Sequence, residues 1–282
     1  MKKKNVLRNL LNENKPSIGT HVLSPWPGVI EVIGHSGIID YVEFVGEYAP
    51  YDLHSLENIG RAVDLFGHMS AMMKIEQQPR TYLAIRSVGS GIQNLLFADI
   101  RNPQDAREAV ASKTADMPNV NGVAGAGMRR DVGYGVGSTD EEYVEALEDT
   151  VVALMIEKQS AIDQLEEILS VNGVDMVQFG PADYAMNLGI PGQYDHPKVK
   201  EAEEYIFETA MKLGVAPRVE LETFAEADSY LKRGIKHFCI GTDILAVYEW
   251  CRTHGGDLAK ALGRSDDSLK RIHGYGVKTI KE

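Results

Sequence analysis

Glu157 and Asp183 carry the clearest chemical signal in the chain. The segment "ALMIEK" places a carboxylate at the end of an otherwise apolar strand candidate, and "QFGPADYAMNLG" places a second directly after the next one. Parallel neighbouring strands would make these two groups neighbours in space. Two carboxylates facing one cleft repel unless a proton or a cation lies between them. With waters and a chelating substrate, such a pair suits Mg²⁺ or Mn²⁺. The alternative is that each pairs with a Lys or Arg across the same opening.

A smaller set of candidates lies at the ends of other apolar runs. His21 closes "SIGTHVL" (17–23), and Glu47 and Tyr48 follow "DYVEFV" (40–45). Lys74 and Glu76 end "SAMMKIE" (70–76), and Asp99 ends "QNLLFADI" (93–100). Four more runs complete the series: "VVALMIE" (151–157), "VDMVQFG" (174–180), "APRVEL" (216–221) and "KHFCIG" (236–241). Each is short, apolar and bounded by Gly, Pro or polar residues, as buried parallel strands are. Amphipathic stretches separate them. Leu53, Leu56, Ile59 and Val63 share one face of a predicted helix opened by Tyr51 and the cap Asp52. "SAIDQLEEILSV" reads as one helix with a Ser cap that stops before Asn172-Gly173.

Strands alternating with helices in this number predict an α/β fold, a (β/α)8 TIM barrel, with a doubly wound open sheet as the competing arrangement. In a barrel the active site lies at the C-terminal ends of the strands, which is the rule that selects the residues above. No repeat or flexible linker interrupts the 282 residues, so a single domain over 1–282 is expected, with a short leading helix and C-terminal helices. The segment 114–142 is long and Gly-rich; its "GVAGAG" is not the dinucleotide order and follows no clear strand.

Composition narrows the function class. A formal charge of −12, spread along helical segments, argues against nucleic acid as a partner. No run approaches the ~20 apolar residues of a membrane span. The basic start lacks a signal peptide's apolar stretch. Cys239 and Cys251 form no ligand or redox spacing, so a reduced, cytoplasmic setting is expected.

Four segments resemble a known family: "GEYAP", "NPQDAREAV", "MIEK" and, most specifically, "GVDMVQFGPADYAMNLGIPGQYDHPKV". From "IGTHVLSPWPGVIEVI" to about Leu262 the chain is similar to the metal-dependent class II pyruvate aldolases of the HpcH/HpaI family. The 26-residue step between Glu157 and Asp183 also suits the family. The resemblance implies a (β/α)8 barrel with a C-terminal helix exchanged between subunits, commonly in hexamers built as trimers of dimers. It implies a divalent cation (Mg²⁺, Mn²⁺ or Co²⁺) on Glu157 and Asp183. It also implies aldol cleavage or addition involving a 2-oxo acid and an aldehyde, with Gly180, Pro181 and Ala182 orienting the substrate carboxylate.

The departures from the family are as informative. The family's Asp-Gly-Glu-His after strand 2 reads Val45-Gly46-Glu47-Tyr48, so the base and the Asp that orients it are both replaced. Its strand 3 Arg matches Lys74, which loses the bidentate fork. Its Gln before the metal-binding Glu matches Met155, and its loop Arg matches Ala124. His21, where the family often has Trp, is either a relocated base or a packed histidine. Tyr48 is either an acid or base with a perturbed pKa or an aromatic wall of the acceptor pocket. Lys74 pairs with a substrate anion, pairs with Glu47, or, if desolvated, forms a Schiff base. His54 reads as solvated, and Arg129 and Arg130 as either solvated or covering an anionic substrate. The expected function is a metal-dependent carbon–carbon lyase, with a Schiff-base lyase or a non-catalytic metabolite-binding barrel as the competing readings.

Overall fold

A computed structural model describes residues 4–264. Eight parallel strands close in sequence order into a barrel. They are β1 (Ser17–Val22), β2 (Tyr41–Phe44), β3 (Ser70–Ile75), β4 (Asn94–Ile100), β5 (Val151–Ile156), β6 (Met176–Phe179), β7 (Ala216–Leu221) and β8 (His237–Thr242). Closure is made by β1 against β8, with Ser17 opposite His237 and Gly19 opposite Cys239. This closed (β/α)8 architecture removes the open-sheet alternative. Each predicted strand forms within a residue or two of its expected limits, because each is an apolar run with polar or glycine punctuation.

The strand period of two splits the core in two. One set of side chains points outward and packs under the surrounding helices, with Val42, Phe44, Ala71, Met73, Leu95, Phe97, Val152 and Leu154 among the buried members. The other points into the barrel. Its lower part is apolar: Tyr41, Met72, Leu96, Ala153, Met155 and Met176 form one cluster with Leu7. Leu7 belongs to the leading helix Val6–Asn12, which plugs the N-terminal end of the barrel. Asn5 fixes that plug, donating to Asn94 Oδ1 and to the Asp149 carbonyl at 2.8 Å each. Arg8 adds a fork to Asp175 at 2.6 and 2.7 Å. A fully buried Leu contributes roughly 1.5–3 kcal/mol, so Leu7 is an effective stopper.

Local differences from the sequence reading have identifiable forms. The helix Leu53–Asp64 is capped by Asp52, whose carboxylate accepts the Ser55 N–H at 2.7 Å. Leu56, Ile59 and Val63 are buried there, while Leu53 in the first turn is exposed. The stretch expected as one helix after β5 is two, Gln159–Ile162 and Leu165–Leu169, and Ser160 lies inside the first rather than capping it. The long Gly-rich segment contains a 3-10 turn, Arg130–Gly135, and precedes the helix Asp140–Glu148. The described residues form two compact units that divide between Asp243 and Ile244. The second is helical, with a helix through Trp250, a π turn Cys251–Gly255 and a helix Gly256–Ala261. The last part of the expected C-terminal extension lies outside the described residues. No helix among the described residues is long and apolar enough to cross a membrane.

The closing seam contains a titratable group. His237 Nδ1 lies 2.9 Å from Ser17 Oγ, and burial, helped by the charges of Lys236 and Arg218, lowers the His237 pKa to about 4. The folded state therefore resists a proton that the unfolded chain accepts below about pH 6.5. Stability from this group is present above that pH and is lost as pH falls toward 4. The expected result is that the wild type loses about 2 kcal/mol more than His237→Asn between pH 7 and pH 5. Urea unfolding at the two pH values measures it, and equal slopes for both proteins would refute it.

Candidate active site

The C-terminal ends of the strands bring Glu157 and Asp183 to the same rim, because β5 and β6 pair with Ile156 opposite Phe179. Glu157 directly follows β5 and is only 3% exposed. Its Oε1 accepts the Asp99 N–H at 2.6 Å. That donor is available because Asp99 sits at φ 53°, in the left-handed region, where the β4–β5 register slips between Phe97 and Ile100. Such a conformation is unfavourable for a non-glycine residue and clusters at functional sites. The Asp99 carboxylate turns away to Arg101 at 2.9 Å.

Glu157 Oε2 has no hydrogen-bond donor among the described residues and faces Gly180. A Cβ on Gly180 would stand 2.6 Å from that oxygen, so glycine is required for the approach. Burial raises the Glu157 pKa to about 7; the Lys74 charge opposes the shift and the Asp183 charge adds to it. Asp183 lies in the first turn of the helix Pro181–Asn187, with its side chain 39% exposed. Lys158 Nζ is 3.6 Å from Asp183 Oδ1 and 3.7 Å from Asp99 Oδ1, both long for ion pairs. Of the three residues expected to orient a carboxylate, Gly180 donates its N–H to the Ile156 carbonyl at 3.0 Å and Pro181 has none. Ala182 is the member of the trio whose N–H is not engaged among the described residues.

These groups fit a hard divalent cation. One carboxylate is buried with a bare oxygen, a second opens to solvent beside it, and oxygen donors of this kind suit Mg²⁺ or Mn²⁺. A cation would also remove the electrostatic cost that raises Glu157.

Lys74, Glu47 and Tyr48 form a second group. Lys74 Nζ lies 2.7 Å from Glu47 Oε2 and donates to Tyr48 Oη at 2.9 Å. Burial alone would lower the Lys74 pKa, but the charges of Glu220, Tyr48 and Glu47 outweigh it and hold it above the usual lysine value. Tyr48 is 57% exposed at the rim, and burial of its hydroxyl end pushes its pKa up to about 12 despite Lys74.

Beneath this rim lies a charged layer that the strand-end rule largely missed. His21 Nε2 stands 3.2 Å from Glu220 Oε1 and 3.4 Å from Glu43 Oε1. Arg218, fully buried, pairs with Glu43, donates to Gln178 and donates Nε–H to Tyr41 Oη at 2.7 Å. Gln178 in turn donates to Glu220, whose side chain is 41% exposed toward the barrel mouth. Burial works against charge on His21, yet Cys239, Glu220 and Glu43 together hold its pKa well above the usual value. His21 therefore enters the barrel as expected, but its Nε2 faces carboxylates. The signal for this layer was present: "RVE" in β7 and "YVE" in β2 carry charged or polar groups two residues apart inside apolar runs, which puts them on one face.

Other candidates lie elsewhere. His54 sits exposed in the first turn of its helix. Arg130 donates to the Ser90 carbonyl at 3.0 Å and pairs with Asp64. It lines a cavity that also includes Asn5, Gln93 and Thr150, all at the N-terminal end of the barrel, so it does not cover the mouth. Arg129 bonds to Tyr143 and lies near Asp131. Ala124 is buried and bridges to Ala115.

The sequence profile of the HpcH/HpaI aldolase/citrate lyase family matches residues 30–248. The 5-keto-4-deoxy-D-glucarate aldolase of Klebsiella pneumoniae is 28% identical over 240 residues, spanning 85% of this chain and 91% of that protein. The hydroxypyruvate/pyruvate aldolase of Sagittula stellata is 42% identical over 127 residues, 45% of this chain and 48% of that protein. A crystal structure of an HpcH/HpaI family protein from Burkholderia cenocepacia superposes with a TM-score of 0.83 at 25% identity, covering 90% of this chain and 99% of that one. With a closed barrel and the profile matched over most of its length, the chain belongs to the HpcH/HpaI aldolase/citrate lyase family.

Proposed function

We propose that this barrel is a divalent-metal-dependent carbon–carbon lyase that cleaves or forms an aldol bond between a 2-oxo acid and an aldehyde. One observation carries the reading: a buried carboxylate, Glu157, whose second oxygen accepts no hydrogen bond among the described residues and faces Gly180, at the start of the turn that carries Asp183. The names of the similar proteins, a 5-keto-4-deoxy-D-glucarate aldolase and a hydroxypyruvate/pyruvate aldolase, support the same substrate class.

A cation held by Glu157 and Asp183 would supply Lewis-acid charge to the 2-oxo and carboxylate oxygens of the substrate. The protein's own residues supply the rest. The Ala182 N–H, in the first turn of its helix, is a donor for the substrate carboxylate. Lys74, kept as an ammonium by Glu47, adds positive charge near the oxygen that becomes negative as the C3–C4 bond breaks. In the addition direction the aldehyde oxygen becomes an alkoxide and takes the Tyr48 hydroxyl proton. With a pKa of about 12, that hydroxyl is protonated at neutral pH and can donate. The Lys74 ammonium, 2.9 Å away, stabilises the tyrosinate left behind. Cleavage runs the same transfer backwards from the tyrosinate, so the substrate hydroxyl proton passes to Tyr48 only after the Tyr48 proton has left to solvent.

The same geometry disfavours a Schiff base on Lys74. An amine nucleophile must be unprotonated, and this one is an ammonium bound to a carboxylate at 2.7 Å.

Calorimetry with Mn²⁺ on Glu157→Gln and Asp183→Asn is expected to show loss of the oxygen-donor site, together with loss of aldol cleavage. Full metal binding and full turnover in Glu157→Gln would remove the basis of the reading. Chelation should abolish wild-type activity, and borohydride with pyruvate should leave no adduct on Lys74; an adduct would instead establish the Schiff-base route.

Tyr48→Phe is expected to slow aldol addition by about 10²-fold, the lower range for a positioned acid. Deuterium exchange into the pyruvate methyl group, followed by NMR, should continue in that variant. Unchanged addition in Tyr48→Phe would reduce Tyr48 to a wall of the pocket.

A further inference from the structure

The charged layer contains a ligand set that the lyase reading does not use. His21 Nε2 on β1, Glu43 Oε1 on β2 and Cys239 Sγ on β8 all lie within 4.8 Å of one another. The three strands are consecutive around the barrel, and His21 stands directly opposite Glu43 in the register. Glu43 and Cys239 are buried, and His21 nearly so. His21 Nε2 and Glu43 Oε1 are both buried and face each other, yet neither makes a well-aligned hydrogen bond among the described residues. Buried polar atoms of this kind normally find one.

Their spacing has another explanation. His21 Nε2 and Glu43 Oε1 are 3.4 Å apart. In a tetrahedral site with metal–nitrogen and metal–oxygen bonds near 2.0–2.2 Å, two ligand atoms are separated by about 3.4 Å. The outer partner is also in place. Glu43 uses its other oxygen, Oε2, for Arg218, which fixes the carboxylate with Oε1 turned toward His21. Such hydrogen-bonded orientation of a ligating carboxylate is a usual feature of metal sites. Glu220, 3.2 Å from His21 Nε2, stands on the mouth side, where a fourth position would open.

We propose that His21, Glu43 and Cys239 form a second metal centre, for a thiophilic divalent cation such as Zn²⁺ or Co²⁺. One thiolate and one imidazole separate it chemically from the oxygen-only pair at Glu157 and Asp183, which favours harder ions. A cation here joins β8, β1 and β2 through their side chains across the seam where the barrel closes. It takes the place of the shared imidazolium proton as the positive charge between these carboxylates. The inference does not depend on the lyase reading.

Cobalt reports the two sites differently, since only a thiolate ligand gives an intense near-ultraviolet charge-transfer band. Metal-free full-length protein titrated with Co²⁺ is expected to develop that band together with tetrahedral visible absorption. Cys239→Ser should lose the band and keep the weaker oxygen-site binding. Glu157→Gln should keep the band, and so should Cys251→Ser, which controls for the exposed thiol. If Cys239→Ser does not fold, His21→Gln serves instead. It retains both thiols and should weaken the band-forming affinity by more than about 100-fold, beyond the range for a lost outer partner. Absence of the band in the wild type overturns the proposal. So does a band that survives Cys239→Ser and disappears in Cys251→Ser.

Discussion

Charge inside a closed barrel is the constraint on which the rest of this structure depends. Eight strands leave a narrow interior with little water, where each ionised group must be matched or lose its charge. The chain meets this in layers. The lowest is apolar and is sealed by Leu7 from the leading helix. The middle one sets His21 and Arg218 against Glu43 and Glu220, just below the Lys74–Glu47 pair of the rim. The uppermost places Glu157 and Asp183 beside Lys158. Compensation is closest in the middle and loosest at the top, where the Lys158 contact is long and Glu157 is left with an elevated pKa. An incompletely matched buried carboxylate is what a resident cation requires.

Backbone geometry enforces that incompleteness. Asp99 adopts a left-handed conformation that hands its N–H to one Glu157 oxygen, and Gly180 removes the side chain that would crowd the other. The two devices come from β4 and from the turn after β6, either side of β5. They hold the carboxylate in place without neutralising it. A side chain donor in either place would have satisfied the oxygen and closed the site.

Much of this was legible in the sequence, for reasons that vary by element. The strands were visible because parallel barrel strands are buried on both faces and read as apolar runs. That Glu157 and Asp183 share a rim was legible because each follows directly on one of two neighbouring runs. The break at Asp163 and Gln164 was not visible, since helical periodicity continues through it. Arg130 was misplaced for a related reason: a long loop can return to either end of a barrel, and its sequence does not say which. The charged layer is not marked at the strand ends, because Glu43 and Arg218 lie within strands. An alternation test within β2 and β7 would have put both on the inner face.

The layer also bears on the residues that follow β2. A His base oriented by Asp would have to share the rim with Lys74. Here Tyr48 and Glu47 take up that lysine instead, and Val45 is buried in the wall. On the opposite side, β7 contributes Arg218 and Glu220, and β1 contributes His21. Buried ion pairs of this kind are seldom more stabilising than apolar residues of the same size. Their presence is therefore poorly explained by stability alone. The β4–β6 side keeps an arrangement suited to holding a cation and a 2-oxo acid. The β7–β2 side instead carries a connected set of charges, with His21 between Glu43 and Glu220 and Arg218 on Glu43.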